Sequence, residues 1–89
     1  MENHMLERER VRLRRVTLRL SQQQLGSQIG HDQGYISRLE RGEITEITAR
    51  TLARLADALD VSIDYLMNRT DDPTPPKKRP RSRTSAPVG

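Results

Sequence analysis

The chain has 89 residues, which suffices for one small domain with a limited core. It contains no Cys, Trp or Phe, which excludes disulfides and thiolate metal sites and requires a core of Leu, Ile, Val and Ala. A net charge of +4 favours a polyanionic partner without specifying one, and the absence of an apolar run of about 20 residues or of a signal peptide indicates a cytoplasmic protein.

The first two helices are predicted from apolar spacing and end signals. The first spans residues 6–17, where good helix formers place apolar side chains on one face. Ser21 is a favourable N-cap for the second helix, and Gln24 completes a capping box with it. The second helix runs through Ile29 and ends at Gly30, because glycine readily adopts the left-handed conformation that follows a helix.

Three further helices follow, each preceded by a side chain that can cap it: residues 33–41 after Asp32, 49–59 after Thr48 and 63–68 after Ser62. Residues 1–70 contain no proline and no alternating apolar pattern that would indicate strands. We therefore predict an all-α domain of five compact helices over residues 1–70. Arg19 and Asp60 occupy positions after helices where glycine is usual, so those two helix ends should be strained or differently shaped.

Residues 71–89 have a different composition from the domain. All five prolines lie there, and Val88 is the only sizeable apolar side chain, so we predict a disordered tail. Five Lys and Arg residues against two Asp give the tail a net charge of +3, whereas 11 Arg against 10 acids give residues 1–70 only +1. The tail is interpreted either as a nonspecific electrostatic arm or as a segment that folds on a partner.

The short link between the second and third helices is the most informative feature. Only Gly30-His31-Asp32 separates them, which holds two short helices at a steep angle. The outward side of the third helix is then polar, with Gln33, Gly34, Tyr35, Ser37, Arg38 and Arg41. A helix of this width fits the major groove of B-form DNA.

Several motifs carry a family resemblance. Leu20-Ser21-Gln22, Ile29-Gly30 and the run Tyr-Ile-Ser-Arg-Leu-Glu-Arg-Gly over residues 35–42 resemble the phage repressor and Cro type of helix-turn-helix, the XRE-like family. Residues 55–59 and 61–66 continue the pattern, so that it covers about residues 8–68. The resemblance implies a five-helix transcriptional regulator, most often a repressor, that binds palindromic double-stranded operator DNA as a homodimer.

The resemblance also implies roles for individual residues. Gln22 would hydrogen-bond a phosphate at the start of the second helix. Gln33 would read the N6/N7 edge of adenine, and Arg38 would grip guanine O6/N7, although a phosphate contact or a solvated side chain is the alternative for Arg38. Gly34 lies where many members of that family carry a base-contacting side chain, so the third helix of this chain has one base-contacting side chain fewer.

Three more residues of the third helix have weaker assignments. Tyr35 is expected either to contact a thymine methyl or a phosphate, or to be partly buried against the second helix. Ser37 is a minor polar contact. Arg41 should touch backbone phosphates, although Glu43 and Glu46 in the following loop oppose that assignment by their charge.

Arg15 and Glu40 receive a structural interpretation. Arg15 lies on the apolar stripe of the first helix, and Glu40 leans inward because it follows Ile36 by four positions. Two opposite charges directed at one core are most simply paired, since burying either alone is very costly. The resemblance implies the same ion pair.

The fifth helix allows two interpretations. By resemblance, its apolar face of Ile63, Leu66 and Met67 is the homodimer surface. The alternative is that this face only closes the core of the monomer, since the segment is too short to be stable alone.

No pattern indicates catalysis, a metal or a cofactor. His4 and His31 lie far apart, no glycine-rich phosphate loop follows a strand, and the carboxylates are scattered among arginines. The chain is therefore expected not to be an enzyme. The alternative function is an antitoxin, in which the same domain binds a toxin and also regulates its own gene.

Overall fold

The computed structural model describes residues 6–44 and 46–75, and within these ranges it contains five α-helices and no strand. The helices are α1 (Arg8–Thr17), α2 (Gln22–Gln28), α3 (Gln33–Glu40), α4 (Ala49–Leu59) and α5 (Ile63–Leu66). The predicted all-α fold is confirmed, and the helix ends lie within two residues of the predicted ones. No helix in this part of the chain is long and apolar enough to cross a membrane.

Four helices begin at the side chains that the sequence predicts as caps. Ser21 and Gln24 form the complete capping box, since each side chain bonds the other residue's backbone N–H at 2.9 and 2.8 Å. The side chains of Asp32, Thr48 and Ser62 likewise accept hydrogen bonds from backbone N–H groups in the first turns of α3, α4 and α5. These caps fix where each helix starts, because they satisfy N–H groups that have no partner within the helix.

α1 begins differently, two residues later than predicted. Glu7 precedes it in an extended conformation and makes no side-chain cap. The backbone N–H of Glu7 instead donates to the carbonyl of Leu66 at 2.7 Å. The start of α1 is thus tied to the end of α5, a contact that sequence periodicity does not reveal.

The core is apolar and draws on all five helices. Ten hydrophobic side chains are buried: Val11, Leu25, Ile29, Ile36, Leu39, Leu55, Ala56, Leu59, Val61 and Leu66. No polar or charged residue belongs to this buried set among the described residues. A core of this kind excludes water by aliphatic packing alone, as the lack of large aromatics requires.

The turn between α2 and α3 depends on two glycines. Gly30 has a φ of 82°, a left-handed conformation that a side chain disfavours. A Cβ on Gly26 would lie 2.6 Å from the carbonyl oxygen of Asp32, so only glycine lets the turn approach α2 this closely. The backbone N–H of His31 also donates to the Gly26 carbonyl at 2.8 Å. The angle between the two helices is therefore fixed by the backbone itself.

The ends of α1 and α4 carry non-glycine residues in the left-handed conformation. Arg19 has a φ of 61° and Asp60 a φ of 59°. The bond that closes such an end is present in both cases, from Leu20 N–H to Arg15 O and from Val61 N–H to Ala56 O, each at 3.0 Å. The hydrogen bonds are therefore those of a normal helix end. The strain arises because Arg19 and Asp60 have a side chain in a conformation that favours glycine.

The segment after α5 folds back onto the domain. The carbonyl of Pro73 accepts a hydrogen bond from Ser62 N–H at 3.1 Å. Arg10 donates to the carbonyl of Thr70 at 2.7 Å and pairs with the carboxylate of Asp71 at 2.8 Å. Asp71 and Pro73, which the sequence assigns to the tail, therefore contact the helical domain. The rest of the predicted tail lies outside the described residues.

Candidate nucleic-acid interface

α3 divides into an apolar inner side and a polar outer side. Ile36 and Leu39 are fully buried, which leaves the opposite face of the helix turned to solvent. Gln33, Gly34 and Arg38 are exposed on that face. The outer side of α3 can therefore meet a ligand without any rearrangement of the core.

Arg15 and Glu40 form a bidentate ion pair beneath this surface. The Nε and Nη2 atoms of Arg15 donate to the two carboxylate oxygens at 2.6 and 3.1 Å. The side chains are only 14% and 5% exposed, and Nη1 of Arg15 also donates to the carbonyl of Leu20 at 2.9 Å. The pair joins α1 to the last residue of α3, so it fixes the position of α3 from its buried side.

The ion pair continues as a hydrogen-bond chain to the outer surface. The side-chain amide of Gln22 donates to Oε1 of Glu40 at 3.2 Å. The amide of Gln33 in turn donates to Oε1 of Gln22 at 3.4 Å. Two of the predicted DNA contacts, Gln22 and Gln33, are thus brought together across the turn and connected to the core.

Tyr35 is half-buried and packs against the core cluster. Its ring stacks on His31, with centroids 3.8 Å apart and an angle of 11° between the planes. Burial raises the pKa of the Tyr35 hydroxyl above its ordinary value, although the positive charge of Arg38 opposes this. The hydroxyl is therefore a protonated donor at neutral pH. His4, the other histidine, lies outside the described residues.

The two arginines near the end of α3, Arg38 and Arg41, differ in their surroundings. Arg38 takes part in no ion pair among residues 6–44 and 46–75, and its Nη1 lies 3.4 Å from where a Cβ on Gly34 would be. Arg41 donates to the hydroxyl of Ser37 and forms a two-bond pair with Glu43 at 3.0 and 3.3 Å. Ser37 thus braces another side chain on the same face.

The Arg41–Glu43 pair shifts both ionisation equilibria. The hydrogen bond and the charge of Glu43 raise the pKa of Arg41, and the hydrogen bond from Arg41 lowers the pKa of Glu43. Arg38 adds a further lowering of the Glu43 pKa by its charge. Both groups of the pair therefore stay charged throughout the physiological range.

The apolar face of α5 is partly buried and partly exposed, so it bears on both interpretations, closure of the monomer core and a homodimer surface. Leu66 is fully buried, so this residue closes the core of the monomer. Ile63 stays 39% exposed and Met67 is half-buried, so part of the apolar face lies at the surface. Tyr65 lies beneath the guanidinium of Arg10, whose carbon is 4.2 Å from the ring centroid.

Several contacts of this surface were not predicted from the sequence, among them Arg41–Glu43 and Gln22–Gln33. The spacing of Arg41 and Glu43 around Gly42 is a signal that could have indicated their pairing, since a turn brings residues two apart side by side. The contact between Gln22 and Gln33 has no such local signal. It depends on the angle between α2 and α3, which brings together residues 11 positions apart.

Comparison with known proteins identifies the family. The helix-turn-helix family profile matches residues 11–66, which is more than half of the chain. The chain belongs to the helix-turn-helix family. The family consists of DNA-binding regulators, so the chain is a DNA-binding transcriptional regulator and not an enzyme.

Solved structures agree with this assignment. The P22 c2 repressor, solved in complex with a synthetic operator, is 38% identical with a TM-score of 0.68, and the alignment covers 73% of this chain and 97% of that one. The DNA-binding domain of the P22 c2 repressor in solution is 39% identical with a TM-score of 0.65, and the alignment covers 74% and 86%. A structure of the SinR–SinI protein complex matches at 27% identity with a TM-score of 0.61, covering 66% and 57%.

Proposed function

We propose that the chain is a sequence-specific repressor that reads double-stranded operator DNA through α3 in the major groove. The observation that carries this proposal is the outer face of α3, where Gln33 and Arg38 are exposed on a helix whose other side is locked into the core. The P22 c2 repressor, a relative of this chain, is solved on a synthetic operator. The same mode of docking is inferred for this chain.

Gln33 and Arg38 are the proposed base readers. A Gln side chain offers one donor and one acceptor, which match N7 and N6 of adenine, and Arg offers two parallel donors for guanine O6 and N7. Gln33 is held by its bond to Gln22, so it meets the base edge already oriented. The guanidinium of Arg38 lies over the first turn of α3, close to Gly34.

The remaining polar groups are proposed to position the helix on the backbone. Gln22 and the Tyr35 hydroxyl contribute phosphate contacts, while Ser37 holds Arg41 in place. Arg41 contacts phosphate after it leaves Glu43. Such contacts set register and affinity but carry no sequence information.

We further propose that two copies bind a palindromic site. The exposed part of Ile63, with the half-buried Met67, offers an apolar edge for a twofold contact. In such a dimer the two α3 helices enter successive turns of one groove, so the half-sites lie about 10 base pairs apart.

Selection of bound fragments from a random duplex library tests the proposal. We expect an enriched palindrome whose half-sites lose definition at one position each in Gln33→Ala and Arg38→Ala. Sedimentation of the free and DNA-bound protein gives the number of copies per site. A library that returns no preferred sequence at any salt concentration would refute sequence-specific repression.

A protein partner, as in an antitoxin, is the second candidate. It is favoured by the structural neighbour solved with another protein bound, and by two exposed apolar side chains on α1, Leu13 and Val16, each 52% exposed. Co-purification from the native source distinguishes the two candidates. A homodimer that purifies without another protein and protects a palindrome in a footprinting assay supports the repressor and not the antitoxin.

A further inference from the structure

Each of the three nitrogens of the Arg41 guanidinium donates a hydrogen bond within the chain. Its Nε and Nη2 atoms donate to the carboxylate of Glu43 at 3.0 and 3.3 Å, and Nη1 donates to the hydroxyl of Ser37. A carboxylate and a phosphate both bind guanidinium through the same pair of parallel N–H groups. Glu43 therefore occupies the Nε/Nη2 side of Arg41, one of the two sides through which a guanidinium can bind a phosphate by paired N–H groups, while Ser37 accepts from Nη1 on the other.

We propose that Glu43 limits the affinity of this surface for DNA, because its carboxylate holds Arg41 until a phosphate displaces it. The inference rests on the proposed DNA-binding function and assigns an acidic residue, Glu43, a role in it. Glu43 is a positioning residue here, since it acts on DNA through Arg41. Its effect should be the same for every sequence, because a phosphate contact does not depend on the base.

The pair is suited to exchange rather than to stabilising the fold. Its side chains are 56% and 52% exposed, and ion pairs so exposed contribute little to stability. By contrast, the neighbouring Arg15–Glu40 pair, which joins α1 to the end of α3, is almost fully buried. The exposed pair can open without disturbing the core.

Glu43 stays near Arg41 after the exchange. Its backbone N–H donates to the carbonyl of Arg38 at 2.9 Å, which anchors the residue at the end of α3. A displaced carboxylate then faces the phosphate at short range and takes up a cation from solution. Both effects oppose binding, and both disappear when the charge of Glu43 is removed.

The test compares Glu43→Gln with the matched variant Glu46→Gln. Both remove one negative charge from the same loop, and Glu46 makes no ion pair among the described residues. Binding is measured by fluorescence anisotropy on the selected operator and on a scrambled duplex of equal length, across a salt series. Circular dichroism verifies that each variant is folded.

We expect Glu43→Gln to bind both duplexes about two- to fivefold more tightly than Glu46→Gln does, with the ratio of operator to scrambled affinity unchanged. The slope of log affinity against log salt should steepen by up to about 0.9, the value for one phosphate contact. In an Arg41→Gln background the advantage of Glu43→Gln over Glu46→Gln should disappear.

Two results would overturn the inference while leaving the proposed function intact. The first is equal tightening by Glu43→Gln and Glu46→Gln, which would show a long-range charge effect alone. The second is an advantage that persists without Arg41. If the unmodified protein binds neither duplex at any salt concentration, the proposed function fails first, and the inference fails with it.

Discussion

Removing the Glu40 carboxylate should strongly destabilise the domain. This group accepts two hydrogen bonds from Arg15 and one from Gln22, and it is only 5% exposed. The Arg15 side chain is only 14% exposed in the native domain, and in Glu40→Ala its guanidinium loses the carboxylate and keeps the carbonyl of Leu20 as its one acceptor. A buried charge without its partner is far more costly than the absence of the pair.

The expected loss is large relative to the stability of the whole domain. Breaking a buried ion pair from one side costs about 3–5 kcal/mol. A domain of roughly 70 residues has a total stability of about 4–10 kcal/mol. Glu40→Ala should therefore lower the melting temperature by roughly 15–30 °C. Glu40→Gln, which keeps one acceptor oxygen, should lose less.

Urea unfolding followed by circular dichroism measures these losses, with the exposed Glu46→Ala as the control that should leave the midpoint unchanged. The double variant Arg15→Met with Glu40→Leu removes both charges and fills similar volume, so it should recover most of the loss. If the losses of the two single variants simply add in the double variant, the two side chains do not stabilise the fold through each other.

Three further predictions concern the interface and the helix ends. Removing residues 76–89 should flatten the dependence of log affinity on log salt by a few units, about 0.9 per lost phosphate contact, and an unchanged slope would show that the tail does not touch DNA. Gln33→Ala and Arg38→Ala should each cost about 1–3 kcal/mol on the selected operator and relax one base position, and equal losses on every single-base operator variant would contradict the assignment of readers. Gln22→Ala removes both a phosphate contact and the bond that orients Gln33, so it should weaken all sequences and relax the base preference only at the Gln33 position. Arg19→Gly should stabilise the domain by about 0.5–1 kcal/mol in urea unfolding, because its φ of 61° suits glycine, and a loss would mean that this side chain makes contacts of its own.

The helices were predictable because their signals are local. Caps such as Ser21 and Asp32 bond N–H groups only three residues away, and so does the partner residue of the capping box. The inward pairing of Arg15 with Glu40 also followed from the sequence, since both residues lie on apolar stripes and neither can be buried alone.

The C-terminal boundary was harder to predict because its contacts are distant in sequence. Arg10 bonds the carbonyls of Tyr65 and Thr70 and the carboxylate of Asp71, at separations of 55, 60 and 61 positions. Composition predicts that a proline-rich segment cannot form a core. It does not reveal that one arginine, Arg10, hydrogen-bonds several backbone carbonyls near the end of the domain. The tail truncation is therefore placed after Pro75, so that these contacts and the Ser62–Pro73 bond are kept.

The chain of bonds from Arg15 through Glu40 and Gln22 to Gln33 connects the stability of the fold to the reading of DNA. Each member is hydrogen-bonded to the one before it, and of the four only Gln33 is exposed. A Gln side chain that is free to rotate would lose rotamer entropy on meeting a base, whereas one already held loses less. The Arg15–Glu40 pair also joins α1 to α3. A substitution of Glu40 that leaves the domain folded should therefore still weaken the base preference at the Gln33 position. Glu40→Gln, assayed on the single-base operator variants at a temperature well below its midpoint, tests this coupling, and an unchanged preference at the Gln33 position would show that the reader is oriented by α3 alone.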